Sequence, residues 1–463
     1  MTNSRRAFLQ RTMCGALGAA AFTSGLQRFG LVNALAQSQT SAATDYRALV
    51  CIFLFGGNDG NNMIVPYDGY QDYARVRGVA GTSGSIAIAQ SDLLQIAPPS
   101  RQGIKYGMHP NLPEMQDLFL QRKLAVMTNV GTLIQPLTRA QFQTASTRPR
   151  NLFSHSDQQA QWQTSISETP SATGWAGRTA DRTRTLNGAA TFPMIVSVAG
   201  ASLFTNGVQT FPIALTPNQS FGLQGYTQKG TDPNVAARYN AVQQLLTSDR
   251  DATLVDSASN LTSQAVGNSD LLNTALASAA TLQTTFPNTG IGNELKQIAK
   301  IIAARNSLGL KRQIFFCSLG GFDTHNNELA THVTLYTQLS QAMKAFYNST
   351  VELGVASNVT TFTQSDFGRT FKPAAGGGSD HAWGSHHLVM GDAVRGGDFY
   401  GSYPTLALAG PDDSGSEGRW IPTSSVDQYA ATLASWYGLN SADLPAVFPY
   451  IGRFATTNLG FMG

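Results

Sequence analysis

Short runs of consecutive apolar residues recur along the chain, and each run ends in a glycine-rich or polar turn. Continuous apolar runs bounded by such turns are typical of strands that are buried on both faces of a sheet. The pattern predicts strands at residues 48–55, 124–129, 194–198, 313–319, 359–363 and 406–409.

A different period separates these runs. In residues 293–305, Leu295, Ile298 and Ile302 recur at helical spacing, and residues 329–353 continue the same pattern. Strands that alternate with helices predict an α/β fold with a mainly parallel central sheet. Because ligands gather at the carboxyl ends of the strands in such sheets, site residues are expected just after each apolar run.

Residues 201–290 have a different composition. They are rich in Gln, Asn, Ser, Thr and Ala, and they lack apolar runs of strand type. Helical patterns cover residues 233–246 and 271–282. We therefore expect one domain over residues 37–463, with residues 201–290 as a helical insertion or cap.

The first 36 residues have the pattern of an export signal. Arg5 and Arg6 form a twin arginine, residues 13–22 are mostly apolar or small, and residues 34–36 read Ala-Leu-Ala, a cleavage site. These features predict a Tat signal peptide at residues 1–36, with a short membrane-anchoring helix as the alternative. The apolar stretch is too short to span a bilayer. We expect the Tat translocase as a partner, a periplasmic or secreted location, and no transmembrane anchor after cleavage.

The signal segment also accounts for the apparent basicity of the chain. All 463 residues together have a formal net charge of +3. Residues 1–36 hold four arginines and no acid, so the remainder has 27 basic and 28 acidic residues, a net charge of −1. Since no basic field remains, binding to nucleic acid is not expected. The apolar content of 42% excludes a disordered chain.

The few cysteines do not suggest a redox or Cys-rich metal site. The chain has three, which is too few for a disulfide scaffold. Cys51 and Cys317 each lie within an apolar run, so buried free thiols are favoured over a disulfide.

Acidic and imidazole side chains follow two of the predicted strands. Asp59 lies in a glycine-rich turn after residues 48–55, and Asp323 and His325 follow residues 313–319. A spacing of two at a strand end places both side chains on one face, where they can share a metal. The alternatives are an ordinary Asn-Asp-Gly turn at Asp59 and a structural Asp–His pair.

The densest set of possible ligands follows residues 359–363. Asp366 comes first, and a glycine-rich segment at 376–387 then brings His381, His386 and His387. Mixed oxygen and nitrogen donors without cysteine favour a divalent metal, while a solvated polar loop is the alternative. Arg369 could grip an anionic group through two hydrogen bonds, or form an internal salt bridge.

A fourth segment offers a nucleophile. Ser154, His155, Ser156 and Asp157 place hydroxyls beside an imidazole and a carboxylate, the material of an activated serine. The same residues also suit the start of a helix, with Ser154 or Ser156 as its cap. His109 is a further candidate ligand, or a structural histidine.

Taken in order, these segments resemble a family of exported bacterial proteins known as domain of unknown function 1501. The matching landmarks cover residues 48 to 455: Phe55-Gly56-Gly57-Asn58-Asp59-Gly60, His109-Pro110, Ser154-His155 through Trp162, Thr173-Gly174-Trp175-Ala176-Gly177-Arg178, Gly321-Phe322-Asp323-Thr324-His325, Ser365-Asp366-Phe367-Gly368-Arg369, and Ile421-Pro422-Thr423 leading to Asp427-Gln428-Tyr429.

That family is similar, more remotely, to the alkaline phosphatase/sulfatase superfamily. The resemblance implies a three-layer sandwich and hydrolysis of phosphate or sulfate esters at a site with one or two divalent metals, Zn, Mn or Ca. It implies metal ligands at Asp59, Asp323, His325, Asp366 and His381; the departures from the pattern leave open a one-metal site, a rearranged site that uses His386 or His387, and a site without catalysis. Departures are Phe367, where the superfamily has a histidine after the acid, and the close spacing of Asp323 and His325.

The nucleophile is not marked by the resemblance. We take Ser156 as the first candidate, with Ser154 next and His155 beside them. The expected function is an exported metal-dependent hydrolase that acts on an anionic small molecule or glycan, with Arg369 binding the anion. The alternatives are a non-catalytic envelope protein that binds a glycan or a protein partner, and a metal-dependent hydrolase of a peptide or amide bond.

Overall fold

A computed structural model describes residues 43–144, 147–217, 221, 232–248 and 253–463. The predicted signal peptide at 1–36 lies outside the described residues. The strands are β1 (Arg47–Leu54), β2 (Ile64–Pro66), β3 (Leu94–Ile96), β4 (Tyr106–Met108), β5 (Leu124–Gly131), β6 (Ile195–Ser197), β7 (Ile213–Ala214), β8 (Arg312–Leu319), β9 (Val359–Ser365), β10 (Ser385–Met390), β11 (Phe399–Tyr400) and β12 (Ser424–Ser425).

Helices separate most of these strands. They are α1 (Gly60–Met63), α2 (Tyr70–Arg77), α3 (Pro113–Leu120), α4 (Arg139–Thr144), α5 (His155–Thr164), α6 (Trp175–Thr183), α7 (Pro233–Thr247), α8 (Thr253–Ser278), α9 (Gly290–Ala303), α10 (Glu328–Glu352), α11 (Val426–Tyr437) and α12 (Leu444–Val447).

The central sheet has the order β11-β5-β10-β9-β1-β8-β6-β7, and β12 pairs with β5. All of its pairings are parallel except those of β10, which runs antiparallel to both β5 and β9. Strands β2, β4 and β3 form a second, antiparallel sheet. The predicted α/β class with a mainly parallel central sheet is confirmed.

The apolar runs became strands because the middle of the sheet is covered on both faces. In β1, every residue from Ala48 to Leu54 is buried. Helix α9 packs against β8 and α10, and α11 packs against β1 and β5. A strand with both faces covered needs apolar side chains on both faces, so it reads as a continuous run.

The order of the strands positions the site. Neighbouring strands β9, β1 and β8 are parallel and in register, so Leu54 lies between Ser365 and Leu319 at one edge of the sheet. The loops that follow these strands therefore meet. Gly56 shows how tightly they pack, because it has a φ of +114° and a Cβ there would lie 2.3 Å from the backbone nitrogen of Asp323.

Two predictions of local structure are wrong. Residues 406–409 form a turn in which Ala409 has a φ of +57°, while Leu406 and Leu408 pack against a small apolar cluster. Residues 385–387, predicted as part of a ligand-rich loop, begin β10. The sequence pattern did not predict this strand because its first residues, Ser385, His386 and His387, are polar.

Other predictions can be compared element by element. The helices predicted at 233–246 and 293–305 correspond to α7 and α9, and the helix predicted at 271–282 is the end of the longer α8. Cys51 and Cys317 are buried and free, as predicted. Among the described residues, no helix is both long and apolar enough to cross a membrane.

Candidate metal centre

Three histidines meet around one carboxylate at the edge formed by β9, β1 and β8. The Nε2 atoms of His325 and His381 lie 3.0 Å and 3.2 Å from Asp323 Oδ1. The Nε2 atom of His155 lies 3.5 Å from Asp323 Oδ2. The Nε2 atoms of His325 and His381 are 3.0 Å apart. We call these four residues the open cluster, since Asp323 is 45% exposed.

Each histidine of the open cluster is held from behind through its Nδ1 atom. His155 Nδ1 lies 2.7 Å from Asp366 Oδ2, and His325 Nδ1 lies 3.0 Å from Asp380 Oδ1. His381 Nδ1 lies 2.8 Å from the carbonyl oxygen of Phe153. A carboxylate or carbonyl on Nδ1 is the arrangement that fixes a metal-ligating imidazole in proteins.

These outer contacts determine the tautomers. A carbonyl or carboxylate oxygen accepts a hydrogen bond, so all three Nδ1 atoms carry the proton. In the neutral imidazoles, each Nε2 atom then presents a lone pair. Each of the three Nε2 atoms lies 3.0–3.5 Å from a carboxylate oxygen of Asp323. His155, Asp323 and His381 each place a ligand atom within 4.8 Å of those of the other two, and His325 adjoins this set through His381. A cation between these groups, either a metal ion or a proton, would relieve the repulsion among the lone pairs, and the separations are compatible with ligands about 2.0–2.2 Å from one metal ion.

The surroundings of the open cluster favour the protonation states that Asp323 and His381 would have as metal ligands. Burial raises the pKa of Asp323. The hydrogen bond and charge of Arg369, together with the nearby His325 and His155, lower this pKa by more than burial raises it, so the net shift is downward. Burial lowers the pKa of His381. An ionised carboxylate and a neutral imidazole are the ligand forms of both residues.

A second group, of two carboxyl side chains and one imidazole, is fully buried. Asp59, Glu328 and His332 place ligand atoms within 4.8 Å of one another. Arg77 already occupies this group. Its Nη1 and Nη2 atoms donate to Asp59 Oδ2 and Oδ1 at 2.7 Å and 3.0 Å, and Nη1 is 3.5 Å from Glu328 Oε1. We call these four residues the buried cluster.

The charges of the buried cluster are balanced internally. Arg77 neutralises Asp59, and Arg77 lowers the pKa of Asp59 against the opposing effect of burial. Burial and the charge of Asp59 raise the pKa of Glu328 to about 8, so Glu328 holds a proton at neutral pH. Burial lowers the pKa of His332 to about 4, which keeps that ring neutral. Neither ring nitrogen of His332 has a hydrogen-bond partner among the described residues.

A short chain of hydrogen bonds joins the two clusters. Ser379 donates from its hydroxyl to Glu328. Arg369 donates from Nε to Ser379 Oγ at 3.3 Å, from Nη2 to the Ser379 carbonyl, and from Nη1 to Asp323 Oδ1 at 2.7 Å. Arg369 is fully buried. Because its guanidinium donates a hydrogen bond to Asp323, it fixes the position of that carboxylate.

The structure separates the residues that the sequence grouped as metal ligands. Asp323, His325 and His381 belong to the open cluster, and Asp366 lies directly behind it. Asp366 also accepts hydrogen bonds from Gln159 Nε2 and the Gly56 amide, which makes it a support for His155. Asp59 lies in the buried cluster, where both carboxylate oxygens face Arg77.

His386 is not part of either cluster. Its Nδ1 atom accepts a hydrogen bond from the Asn129 amide, and its ring stacks on Tyr403 at 4.8 Å. Burial lowers its pKa to about 3. His109 is similar, since it is buried, accepts from the Asn111 amide, and has a pKa lowered by burial to about 3.

The predicted catalytic group at 154–157 is arranged differently from an activated serine. Ser156 is exposed, and its hydroxyl hydrogen-bonds with Ser154 and Asp157. Both ring nitrogens of His155 face carboxylates, Asp366 and Asp323. His155 therefore has the position of a ligand, although the sequence indicated it as a partner of Ser156.

The sequence of the chain identifies its family. A family described as "Protein of unknown function (DUF1501)" matches residues 46–415. The chain belongs to this family. The match includes the open cluster, the buried cluster and all the loops that hold them. No protein with curated annotation matches the chain.

Solved structures show remote likeness to this DUF1501 protein. "Ps i-CgsB in complex with k-i-k-neocarrahexaose" is 10% identical, with a TM-score of 0.35, and the match covers 88% of this chain and 77% of that chain. The PsFucS1 sulfatase from Pseudoalteromonas sp. is 10% identical, with a TM-score of 0.33 and coverage of 87% and 69%. A mutant of the alkaline phosphatase PafA is 13% identical, with a TM-score of 0.24 and coverage of 73% and 65%.

Several members of the two clusters of the DUF1501 protein, and residues that support them, were not singled out from the sequence. Asp380 was visible beside His381 but reads as a loop acid. Glu328 reads as an ordinary acid in the first turn of α10, and Arg77 as a basic residue in the last turn of α2. Nothing local to these two residues signals that they meet, because their contact depends on the fold.

Proposed function

We propose that this protein is an exported, metal-dependent hydrolase of phosphate or sulfate esters, built on an alkaline phosphatase-like three-layer sandwich. One observation carries the metal: three Nε2 lone pairs converge on Asp323 while every Nδ1 atom is held by an oxygen acceptor. The ester class follows from the sequence resemblance and from the exposure of the open cluster.

The donor set favours one ion of zinc or manganese. Three imidazole nitrogens and one carboxylate suit those metals, whereas calcium takes oxygen ligands. A second ion is not supported at Asp59, because Arg77 supplies the positive charge there. When bound, the metal would act as a Lewis acid on an ester oxygen and lower the pKa of an attacking hydroxyl.

The chain's own residues have separate tasks in this proposal. His155, His325, His381 and Asp323 hold the ion. Asp366, Asp380 and the Phe153 carbonyl fix the imidazoles, and Arg369 fixes Asp323. Ser156, exposed next to His155 at the start of α5, is the proposed nucleophile: its oxygen bonds to phosphorus or sulfur, the ester alcohol leaves with a proton, and water later frees the serine.

Export is proposed on the sequence alone. The twin arginine and cleavage site at residues 1–36 support passage through the Tat translocase and a periplasmic or secreted mature protein. That route carries folded proteins, so a metal could be bound before export.

Metal analysis tests the proposed centre first. The mature chain, purified without added metal and then equilibrated with zinc or manganese, should hold about one equivalent by elemental mass spectrometry. His381→Ala should lose it, and Asp72→Asn, an exposed carboxylate on α2, should keep it. Wild-type protein that holds less than about 0.2 equivalents would overturn the metal centre.

A substrate screen then tests catalysis. Chromogenic phosphate and sulfate esters should be turned over only by metal-loaded protein, and Ser156→Ala should lower kcat by about 100-fold or more if serine attacks. Full activity in Ser156→Ala would replace the serine by a water molecule. A metal-loaded protein without turnover of any ester would favour the non-catalytic, glycan-binding alternative.

A further inference from the structure

One arginine contacts the backbone of a histidine of the open cluster and has terminal nitrogens that bind no described residue. Arg419 donates from Nε to the carbonyl oxygen of His381 at 2.9 Å. Its guanidinium lies over the ring of Phe153, 4.8 Å from the ring centre. The structure gives its two Nη atoms no hydrogen bond or ion pair with any described residue. A guanidinium held at Nε and stacked on a ring presents its free edge in one fixed plane.

The backbone of Arg419 is fixed by a buried carboxylate. Asp413 is fully buried and accepts from the amides of Arg419 and Gly415 through Oδ1, and from those of Gly418 and Ala409 through Oδ2. Four amides on one carboxylate rigidify the loop at 409–419.

Phe153, the platform under Arg419, has a backbone conformation that bulky residues rarely adopt. Its φ is +72°. Hydrogen bonds hold it on both sides: its amide donates to Gln158 Oε1 at 2.6 Å, and its carbonyl accepts from His381 Nδ1 at 2.8 Å. Unusual backbone of this kind concentrates at functional sites. Here it aims the carbonyl at a ligand histidine and the ring at Arg419.

We propose that Arg419 is the substrate-anchoring residue, and that it binds two oxygens of a tetrahedral oxyanion on the ester. This inference rests on the proposed function and assigns to Arg419 the task that the sequence suggested for Arg369. Arg369 is buried and engaged on Asp323, while Arg419 is half-buried and contacts the backbone of His381. Since the mature chain has a net charge of −1, attraction for an anion must come from such a local group.

The substrate class that fits is a phosphate or sulfate monoester. Both carry a group with several equivalent oxygens, which matches the fork of a guanidinium. A lysine at this position would supply the charge without the fork or the stacking on Phe153.

Oxyanion binding tests the proposal without knowledge of the natural ester. Inorganic phosphate and sulfate are titrated separately into zinc-equilibrated wild type and variants by calorimetry. Arg419→Gln should weaken the Kd of the preferred anion at least about tenfold, and Arg419→Lys should give an intermediate value. The anion that binds more tightly to wild type identifies the ester. The control is Arg453→Gln, because Arg453 also lies over an aromatic ring, Tyr450 at 4.7 Å, but its Nη1 atom pairs with Glu168 at 3.4 Å.

Metal content is measured on the same samples, so the two proposals can fail separately. Loss of zinc from wild type would contradict the metal centre, and anion binding measured on that protein would still test Arg419. An unchanged Kd in Arg419→Gln overturns the inference, as does a zinc-loaded wild type that binds neither anion. If Arg419→Gln melts below wild type, Arg419→Lys, which keeps the charge and the stem, gives the decisive Kd.

Discussion

Two clusters of carboxylate and imidazole groups lie at one edge of the same sheet, and they differ in what balances their charge. In the buried cluster, Arg77 donates two hydrogen bonds to Asp59, and Glu328 holds a proton. In the open cluster, Arg369 donates to only one oxygen of Asp323, and three imidazole lone pairs remain. Arg77 and the proton on Glu328 balance the carboxylates of the first cluster, whereas the second combines a carboxylate with imidazole nitrogens that can accept a cation.

The difference shows that a short distance between acidic and histidine side chains does not by itself indicate a metal site. Both clusters bring acids and histidine within 4.8 Å of one another. Only the open cluster has its imidazoles oriented from behind, by Asp366, Asp380 and the Phe153 carbonyl. His332 in the buried cluster has no such support. Orientation through Nδ1 therefore separates the candidate centre from a structural ion pair.

Removal of Arg77 should have the largest effect and should act on stability. Arg77→Met leaves the buried carboxylate of Asp59 without its partner, so the free energy of unfolding should fall by about 3–5 kcal/mol, measured by denaturant titration. Arg75→Met on the same helix, whose pair with Asp72 is exposed, should change it by less than about 0.5 kcal/mol. Folded Arg77→Met protein should still bind zinc, and loss of zinc from that protein would contradict the separation of the clusters.

Removal of Asp323 should act on metal affinity. Four ligands share a binding free energy of about 10–16 kcal/mol in structural zinc sites, so Asp323→Ala should weaken zinc at least about 100-fold in a chelator competition. Asp59→Asn, the corresponding change in the buried cluster, should leave zinc affinity within about threefold, because Asp59 has no place in the coordinating set. Equal losses in the two variants would show that Asp59 is a ligand after all.

The contrast between the clusters could be predicted only in part from the sequence. The apolar runs of β1, β8 and β9 correctly placed Asp323, His325 and Asp366 after parallel strands. Which acid meets which base depends on contacts between residues far apart in the chain. Arg77 and Glu328 are 251 positions apart, and no local pattern marks their meeting, so Asp59 and Asp323 looked equivalent.

Strand β10 shows a second limit of sequence patterns. His386 and His387 looked like loop ligands because they are polar and follow a glycine-rich segment. Their rings are nevertheless buried, with His386 stacked on Tyr403 and His387 4.7 Å from Trp162. Histidine rings can be buried in a strand when they pack on aromatic side chains. A pattern search that counts histidine as polar does not detect such a strand.

The outer carboxylates of the open cluster should have smaller effects than Asp323. Asp366→Asn weakens the hold on His155 from a fully buried position and should lower zinc affinity about 10–100-fold. Asp380→Asn acts on His325 from a side chain that is 50% exposed, so its effect should lie at or below the lower end of that range. Chelator competition measures both. A larger loss in Asp380→Asn than in Asp366→Asn would contradict the idea that burial strengthens this support.

The smallest effect should be a change of pH dependence from the proton on Glu328. Its pKa is raised to about 8 in the folded chain, above the ordinary 4.5 of an unfolded glutamate, so the folded state holds the extra proton between these values. Stability should therefore fall as pH rises toward 8, with a slope of at most about 1.4 kcal/mol per pH unit. Glu328→Gln mimics the protonated acid and should flatten the curve between pH 6 and about 8, relative to wild type. The control Glu417→Gln, a half-buried glutamate paired with Lys372 outside both clusters, should leave the curve unchanged.

The direction of this slope distinguishes a proton from a metal in the buried cluster. If Glu328 holds a proton, rising pH weakens the fold and Glu328→Gln removes that weakening. If a metal ion were bound there instead, rising pH would deprotonate Glu328 and strengthen binding, so stability in the presence of zinc would rise with pH. A slope of that second sign, lost in Glu328→Gln, would mean that the buried cluster binds a cation beyond Arg77 and that the two clusters are alike.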